Sequence, residues 1–374
     1  MKNKQPKVAI VCDWLTGTGG AERVVLELHK MFPNATIYTS QYNPNPKIWY
    51  GGEWFKNADI KTGWLQKLPK SLKKFLPVFR ALYFSRLDLD GYNLVISSSG
   101  AEAKFIKVKP GATHITYCHA PTHYFWARYD EYLTNPGFGK LDFLARIGLK
   151  LLVGPMRMWD HKAAQRPDYF IANSSFTQDQ IKKYYGREAQ VIHPPVDVER
   201  FQQATGLRHG FVAAGRQTPY KRVDFAVAAC TKLDLPLIVI GSGPEHKKLK
   251  SLAGKSVTFL RDKSDEEVAH YLQSSLAFIF PGIDDFGIVA VEAMAAGTPV
   301  IAYKGGGALD YVVQGKTGLF FELQTAESLA NALQEFNKHS FNHPAIARSA
   351  AKFSAANFEK NLSKLIEQVL KTAS

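Results

Sequence analysis

Two carboxylates eight positions apart, Asp284 and Glu292, bracket a Phe286-Gly287 pair in the stretch FPGIDDFGIVAVEAMAAGTPVIAYKGGG. The preceding LAFIF reads as a strand and Pro281–Asp285 as a loop. A helix is expected from near Phe286 to Gly297, where glycine closes it. Glu292 then sits just over one turn into the helix, where its carboxylate reaches back toward the loop and suits both hydroxyls of a ribose diol. The amides of Phe286, Gly287 and Ile288 are orphan donors of a helix start, suited to phosphate or sugar oxygens. Asp284 suits a sugar hydroxyl, with Asp285 beside it. The structural alternative is that acids decorate a helix N-terminus for its dipole, worth roughly 0.3–1 kcal/mol. That covers Asp284 and Asp285 but not Glu292, inside an otherwise apolar helix.

Other loops carry complementary groups. In GRQTPYKRVDFAVAA, Arg216 and Lys221 flank Pro219 ahead of a helix from about Arg222. Two cations over a helix N-terminus form a diphosphate clamp, and two solvated surface charges are the alternative. Gly17, Gly19 and Gly20 precede AERVVLELHKMF, which has Val24, Val25, Leu28 and Phe32 on one helical face. The loop lacks the third glycine of a dinucleotide fingerprint, so ligand loop and tight turn both stand. Gly241 and Gly243 follow a strand as a nucleotide crossing or as plain turn chemistry. Leu260, Arg261 and Asp262 sit in a loop placed to hold a nucleobase edge, before a Ser264/Glu267 capping box. His119 stands at the carboxyl end of ITYC, which sets a catalytic role against the commoner structural one.

The elements that position these residues are legible as alternating strands and helices. KVAIVCDW, YNLVISSS, HITYCHA, YFIANSS and AQVIHPPV form one set of two-sided apolar strands, and HGFVAAGR, LPLIVIGSG, VTFL, LAFIF and TPVIAY a second. Such strands with helices between them imply buried parallel sheets, so the fold class is α/β with two doubly wound domains. The 374 residues accommodate two domains. The break is placed near Pro194 and Pro195, giving 1–197 and 198–355. Three scattered cysteines and no CxxC pair point to neither zinc nor disulfides and fit a reducing compartment. The N-terminal apolar run is cut at Asp13, so it reads as a first strand and not as a signal peptide. No apolar run is long enough to span a bilayer.

Net charge is +14, and residues 1–200 hold 28 Lys+Arg against 17 Asp+Glu. The first half therefore faces something anionic. Residues 56–86 concentrate that charge, with eight basic side chains and one aspartate. Trp64, Lys67, Lys70, Lys73, Lys74, Phe75 and Arg80 are the expected contacts of an anionic membrane surface and its acceptor, with Leu65, Leu68, Leu76, Phe79, Tyr83 and Phe84 as further apolar anchors. A core-facing helix with a solvated basic side and a nucleic-acid patch are the alternatives. The apolar 141–159 stretch is a second possible contact.

Together these pieces resemble glycosyltransferase family 4, the retaining, nucleotide-sugar-dependent enzymes of GT-B fold. Asp284-Asp285-Phe286-Gly287, Glu292-Ala293-Met294-Ala295 and Gly297-Thr298-Pro299-Val300 match the family's paired-acid signature, with Asp284 in place of its usual glutamate. GGAERVV, YCHAP, PPVD, GRQTPYKR and GSGPE extend the likeness along the chain, toward a mannosyltransferase-type branch acting on lipid-linked glycans. The resemblance implies two Rossmann-like domains facing a central cleft, with a last helix, 356–374, returning to the first. It implies that Gly19 and Gly20 approach the donor and that His119 contacts the sugar. Arg216 and Lys221 neutralise the diphosphate, Asp284 and the amides near Gly287 hold the sugar, and Glu292 holds the ribose. No cofactor or metal is expected. The expected partners are a nucleotide sugar, a glycan or polyprenol-diphosphate acceptor and an anionic membrane surface, with no nucleic acid; the expected location is cytoplasmic, peripheral on that face of the membrane. Retention raises the question of a nucleophile near His119, and Glu102 is the only carboxylate in the neighbouring loop; the resemblance implies instead a front-face reaction, in which the departing diphosphate helps to deprotonate the incoming hydroxyl. The competing readings are a GT-B epimerase or hydrolase, and a non-catalytic sugar-binding protein.

Overall fold

A computed structural model describes residues 6–17, 19–45, 51–68, 76–134, 136, 142–201 and 206–372. Two compact units emerge. Unit 1 comprises Met1–Asn173, Thr177–Pro194 and Glu359–Ser374, and unit 2 comprises Ser174–Phe176 and Pro195–Phe358.

Unit 1 is built on seven parallel strands, β1 (Val8–Cys12), β2 (Thr36–Thr39), β3 (Ile60–Thr62), β4 (Leu94–Ser99), β5 (Thr113–Cys118), β6 (Tyr169–Ala172) and β7 (Gln190–Val191), in the order 3-2-1-4-5-6-7. Every residue of β1, β4 and β5 is buried. Helices cover both faces of such a sheet, so its strands show no in/out alternation. Unit 2 holds six parallel strands, β8 (Phe211–Ala214), β9 (Leu237–Ile240), β10 (Val257–Leu260), β11 (Ala277–Phe280), β12 (Val300–Tyr303) and β13 (Gly318–Phe321), in the order 10-9-8-11-12-13. Both sheets are doubly wound, as expected. The strand order reverses between β1 and β4 in one sheet and between β8 and β11 in the other. A crevice opens outside the strand ends at each reversal, where ligands of such sheets bind.

Sequence patterning missed β2, β3 and β13. The first two are short and rich in threonine, and β3 is a partly exposed edge. β13 begins at Gly318, where an added Cβ would lie 1.9 Å from the Val300 carbonyl of β12. The helix expected near Phe286 runs over Ile288–Ala295, and the one expected from Arg222 starts at Val223. The capping box at Ser264 and Glu267 is present. No helix among the described residues is long and apolar enough to cross a membrane.

One ionic network organises the helical layer of unit 1. The fully buried Lys104 ammonium lies 2.8 Å from Asp160 Oδ1, on the long helix Asp142–Ala164. Asp160 Oδ2 accepts from Trp126 Nε1 and Tyr185 Oη, each at 2.7 Å, and Thr122 donates to Oδ1. Lys104 also donates to Thr122 Oγ1. The charges are thus paired and hydrogen-bonded, the condition under which a buried ion pair is tolerated. All six tryptophans lie in unit 1, so tryptophan fluorescence reports its unfolding alone. Asp160→Ala strands the Lys104 charge and should lower unit 1 stability by about 3–5 kcal/mol, read as an early urea transition in tryptophan emission.

Candidate functional site

In unit 2, the loops after β8 and β11 meet at the strand-order reversal. Pro219–Lys221 forms a 3-10 turn, and Arg222 takes a left-handed φ of 48° before the helix Val223–Lys232. That turn sends Lys221 toward the β11 loop, where its ammonium pairs with the Asp284 carboxylate. The loops touch through backbone as well. A Cβ at Gly282 would lie 2.5 Å from the Tyr220 carbonyl. Arg216 stays exposed at the mouth of β8.

The glycines of the opening stretch have a packing reason. Gly287 has φ 91°, and a Cβ there would enter the Phe280 ring and the Tyr311 hydroxyl. Added Cβ atoms at Gly306 and Gly307 would come within 2.5 Å of the Asp284 carbonyl and 2.4 Å of Phe286 Cα. Gly307 also donates its N–H to the Asp284 carbonyl, at 2.8 Å. Bare backbone therefore cradles the acidic loop. The Phe286 side chain belongs to the core against Tyr311 and Phe353, so only its backbone faces the loop. Gly287 is the N-cap of Ile288–Ala295 and brings no capping side chain, so the helix opens on amides alone. Ile288 packs against the core from the first turn.

Glu292 is 5% exposed, and its Oε1 accepts from Arg200 Nη2 at 3.2 Å. Arg200 also donates to Asp265 at 2.7 Å, across 65 residues of sequence. Sequence reasoning missed Arg200, which belongs to no motif. A carboxylate accepts about four hydrogen bonds, so this contact is compatible with a diol on Glu292.

Gly241 and Gly243 bring the β9 loop against the β8 loop. Cβ atoms there would lie 2.3 Å from the Gly215 and Gln217 carbonyls, respectively. Gln217, also missed, is the knot: its Nε2 donates to the Gly241 carbonyl at 2.9 Å, and its Oε1 lies 2.7 Å from His246 Nδ1. The Gly241 N–H donates to Leu260, whose strand β10 is the sheet edge. Arg261 and Asp262 follow, exposed, with Asp262 at φ 49°.

In unit 1, the reversal between β1 and β4 is spanned by Asp13. Its carboxylate accepts the N–H groups of Gly100, Ala101 and Ala103 at 2.7, 3.0 and 2.7 Å. Burial pushes the Asp13 carboxyl up, and these hydrogen bonds oppose the shift. His119 follows β5, half-buried. Its N–H donates to Ser99, its Nε2 lies 2.7 Å from Ser98 Oγ, and its carbonyl accepts from Asn173. Gly19 is the extended N-cap of Gly20–Met31, and a Cβ there would lie 2.8 Å from Glu22 Oε2.

The basic stretch is read differently in the structure. Arg80 is not a surface contact. It is 8% exposed, its Nε donates to Glu102 Oε2 at 2.7 Å, and its guanidinium stacks on Trp14. Glu102 is accordingly no nucleophile: it is fully buried, with Arg80 on one oxygen and Tyr124 on the other. The basic segment is also not one continuous surface, because Leu65, Leu76, Tyr83 and Phe84 are core residues. Trp64 is 52% exposed and lies edge-on to Phe79, and Lys67 is exposed. Lys70, Lys73, Lys74 and Phe75 lie outside the described residues.

Glu22, buried beside the glycine loop, is pushed up to about 7, chiefly by burial and further by Asp13. Folded Glu22 keeps its proton between pH 4.5 and 7, where the unfolded chain has lost it, so stability falls as pH rises through that window. Glu22→Gln should therefore gain on the wild type by about 1–3 kcal/mol from pH 4.5 to 7.5, at roughly 1.36 kcal/mol per pKa unit. The buried His114, held at about 3, contributes the opposite slope in both proteins and cancels. Urea unfolding followed by tryptophan emission reads the difference, and a flat difference would refute it.

Comparison with known proteins places this geometry. The profile described as Glycosyltransferase Family 4 matches residues 18–200, and that described as Glycosyl transferases group 1 matches 198–353. The mouse alpha-1,3/1,6-mannosyltransferase ALG2 is 24% identical over 95% of this chain and 94% of its own. A D-inositol 3-phosphate glycosyltransferase of Streptomyces avermitilis is 29% identical over 50% of this chain and 47% of its own. Among solved structures, sucrose-phosphate synthase from Thermosynechococcus elongatus superposes with a TM-score of 0.70, at 19% identity over 98% of this chain and all of its own. Anabaena HepE in complex with UDP gives 0.69 at 18% identity, over 96% of this chain and all of its own. The paired acids, the cation facing them and the two abutting profiles lead to one conclusion: the chain belongs to glycosyltransferase family 4 and is a glycosyltransferase of GT-B fold.

Proposed function

We propose that this glycosyltransferase moves mannose from GDP-mannose, with retention, to a glycan hydroxyl on a lipid-diphosphate acceptor, at the cytoplasmic face of a membrane. The observation that carries the reading is the Lys221–Asp284 pair beside the uncapped amides of Ile288–Ala295, at the strand-order reversal of unit 2. In this reading Lys221 and Arg216 neutralise the diphosphate without a metal, and Glu292 takes the ribose. Asp284 orients the sugar and holds Lys221 in place, while Leu260, Arg261 and Asp262 border the base. In unit 1, His119, Gly19 and Gly20 serve the sugar. The likeness to a mannosyltransferase along nearly the whole chain supports the donor sugar.

The reaction breaks the bond from the anomeric carbon to the diphosphate oxygen, and the electron pair leaves with the diphosphate. The acceptor oxygen attacks from the same face, and its proton passes to the departing diphosphate. Catalysis then rests on positioning and on charge stabilisation by Lys221, Arg216 and helix amides. The buried Glu102–Arg80 pair leaves no role for Glu102 as a covalent nucleophile.

Lys221→Ala should lower turnover at least a hundredfold while shifting the melting temperature by only a few degrees, because the pair is partly solvated. Near-intact activity would refute the clamp. In a thermal-shift panel GDP-mannose should stabilise the protein most, by about 2.7 kcal/mol at a hundred times its Kd. Stabilisation by a UDP-sugar alone would overturn the donor. No response to any nucleotide sugar would overturn the transferase mechanism in favour of simple sugar binding. Donor turnover without acceptor would favour an epimerase or hydrolase.

A further inference from the structure

Arg200 meets Glu292, the ribose carboxylate of the reading above, and no step assigned so far uses it. It ends the 3-10 turn Val198–Arg200, whose flanks are core. Val196 and Phe201 are buried in the cluster that holds Ala290 and Val291. The guanidinium lies over the Phe201 ring, 4.7 Å from its centroid. The arginine thus reaches out from a seated base. Its Nη2 donates to Glu292 Oε1 at 3.2 Å and its Nη1 to Asp265 Oδ2 at 2.7 Å. One planar group spans two helices, Asp265–Ser274 at its first residue and Ile288–Ala295 at Glu292.

Stability alone explains this strut poorly. The Asp265 side chain is 48% exposed, and ion pairs open to water add little. Glu292 is buried in a helix whose other positions from Ala290 to Ala295 are apolar. A well-packed apolar residue there would cost less than a carboxylate and its cation. The Arg200 Nε is also buried, without an acceptor among the described residues. What the arrangement does provide is a fixed carboxylate. A rigid guanidinium fork, anchored at a second acid, sets the direction of Glu292 as a flexible lysine would not.

The second anchor matters for a different part of the nucleotide. Asp265 directly follows the loop after β10, which borders the base in the reading above, and the Ser264/Glu267 capping box pins that junction. We propose that Arg200 is a positioning residue for the nucleoside half of the donor. It aims the Glu292 carboxylate at the ribose hydroxyls and, through Asp265, holds the base loop in register with it. The assignment rests on the nucleotide-sugar reading above. Lys221 and Arg216 stand on another loop, after β8, so nucleoside and diphosphate recognition are separable.

The full-length protein is titrated calorimetrically with GDP and UDP, each beside its 2′-deoxy form, and with pyrophosphate. The wild type should prefer the ribonucleotide it binds to the 2′-deoxy form by roughly tenfold or more, because a site built to pair a hydroxyl rejects the analogue without it. Arg200→Ala should weaken the ribonucleotide by about tenfold and the deoxy form by less, so the preference shrinks, with pyrophosphate affinity retained. Donor KM should rise in step while kcat at saturating donor falls less than about threefold. Arg200→Lys should recover part of the loss, because its ammonium still faces Glu292. Asp265→Asn, at a half-exposed position, cuts the strut without stranding Glu292 and should give the same pattern on a smaller scale. Equal losses for ribo and deoxy forms, loss of pyrophosphate binding with them, or unchanged ribonucleotide affinity in both variants overturns the proposal. If neither nucleotide binds the wild type, the nucleotide-sugar reading falls and takes this assignment with it. If one binds and its ribose preference survives Arg200→Ala, the role of Arg200 alone falls.

Discussion

A parallel sheet leaves its strand ends pointing at open space wherever the chain order reverses, and the loops there must be tied together by something other than the sheet. Both units use a carboxylate. In unit 1 Asp13, one residue past β1, collects three amides from the loop after β4. In unit 2 Asp284, after β11, meets the ammonium of Lys221, after β8. The partners differ in kind. Backbone amides are fixed donors, and the Asp13 ties are buried and permanent. The Lys221 ammonium sits on a flexible stem and is partly solvated, so it can turn from the carboxylate to another anion. One device thus takes a fixed form in the first unit and an adaptable one in the second.

Close backbone approach is the second constraint. Gly241, Gly243, Gly282, Gly306 and Gly307 each sit where a Cβ would strike a neighbouring loop. Together they pull the loops after β8, β9, β11 and β12 into one rigid group. Side chains on such a group hold their geometry through their neighbours' backbones, as an electrostatically preorganised site requires.

Much of this was legible beforehand, and the exceptions share a cause. The strands of both sheet centres are two-sided apolar runs, and the Asp284–Glu292 motif carries its own helix and loop. What stayed hidden depended on a partner far away in sequence. Arg80 looked like one more cation of a basic, aromatic stretch, because nothing local reveals Glu102 or the stacking on Trp14. Arg200 has no motif and gains meaning from Glu292, 92 residues on. Gln217 reads as a polar loop residue until Gly241 and His246 close around it. β2 and β3 are held by their place beside β1 more than by their composition, and β13 by a glycine chosen for its neighbour.

The chain leaves unit 1 at Pro194 and returns to it only at Glu359, where Leu362, Leu365, Ile366 and Val369 are buried. The second unit is therefore an insertion within the first, and a ribosome meets the two in an awkward order. Unit 2 can fold as soon as it emerges, while the unit begun first still lacks its last helix. At about 5–20 residues per second the wait is roughly 10–30 s. During that interval the seats of the missing leucines stand open, so the nascent protein is most exposed to chaperones and proteases at the unit that was started first.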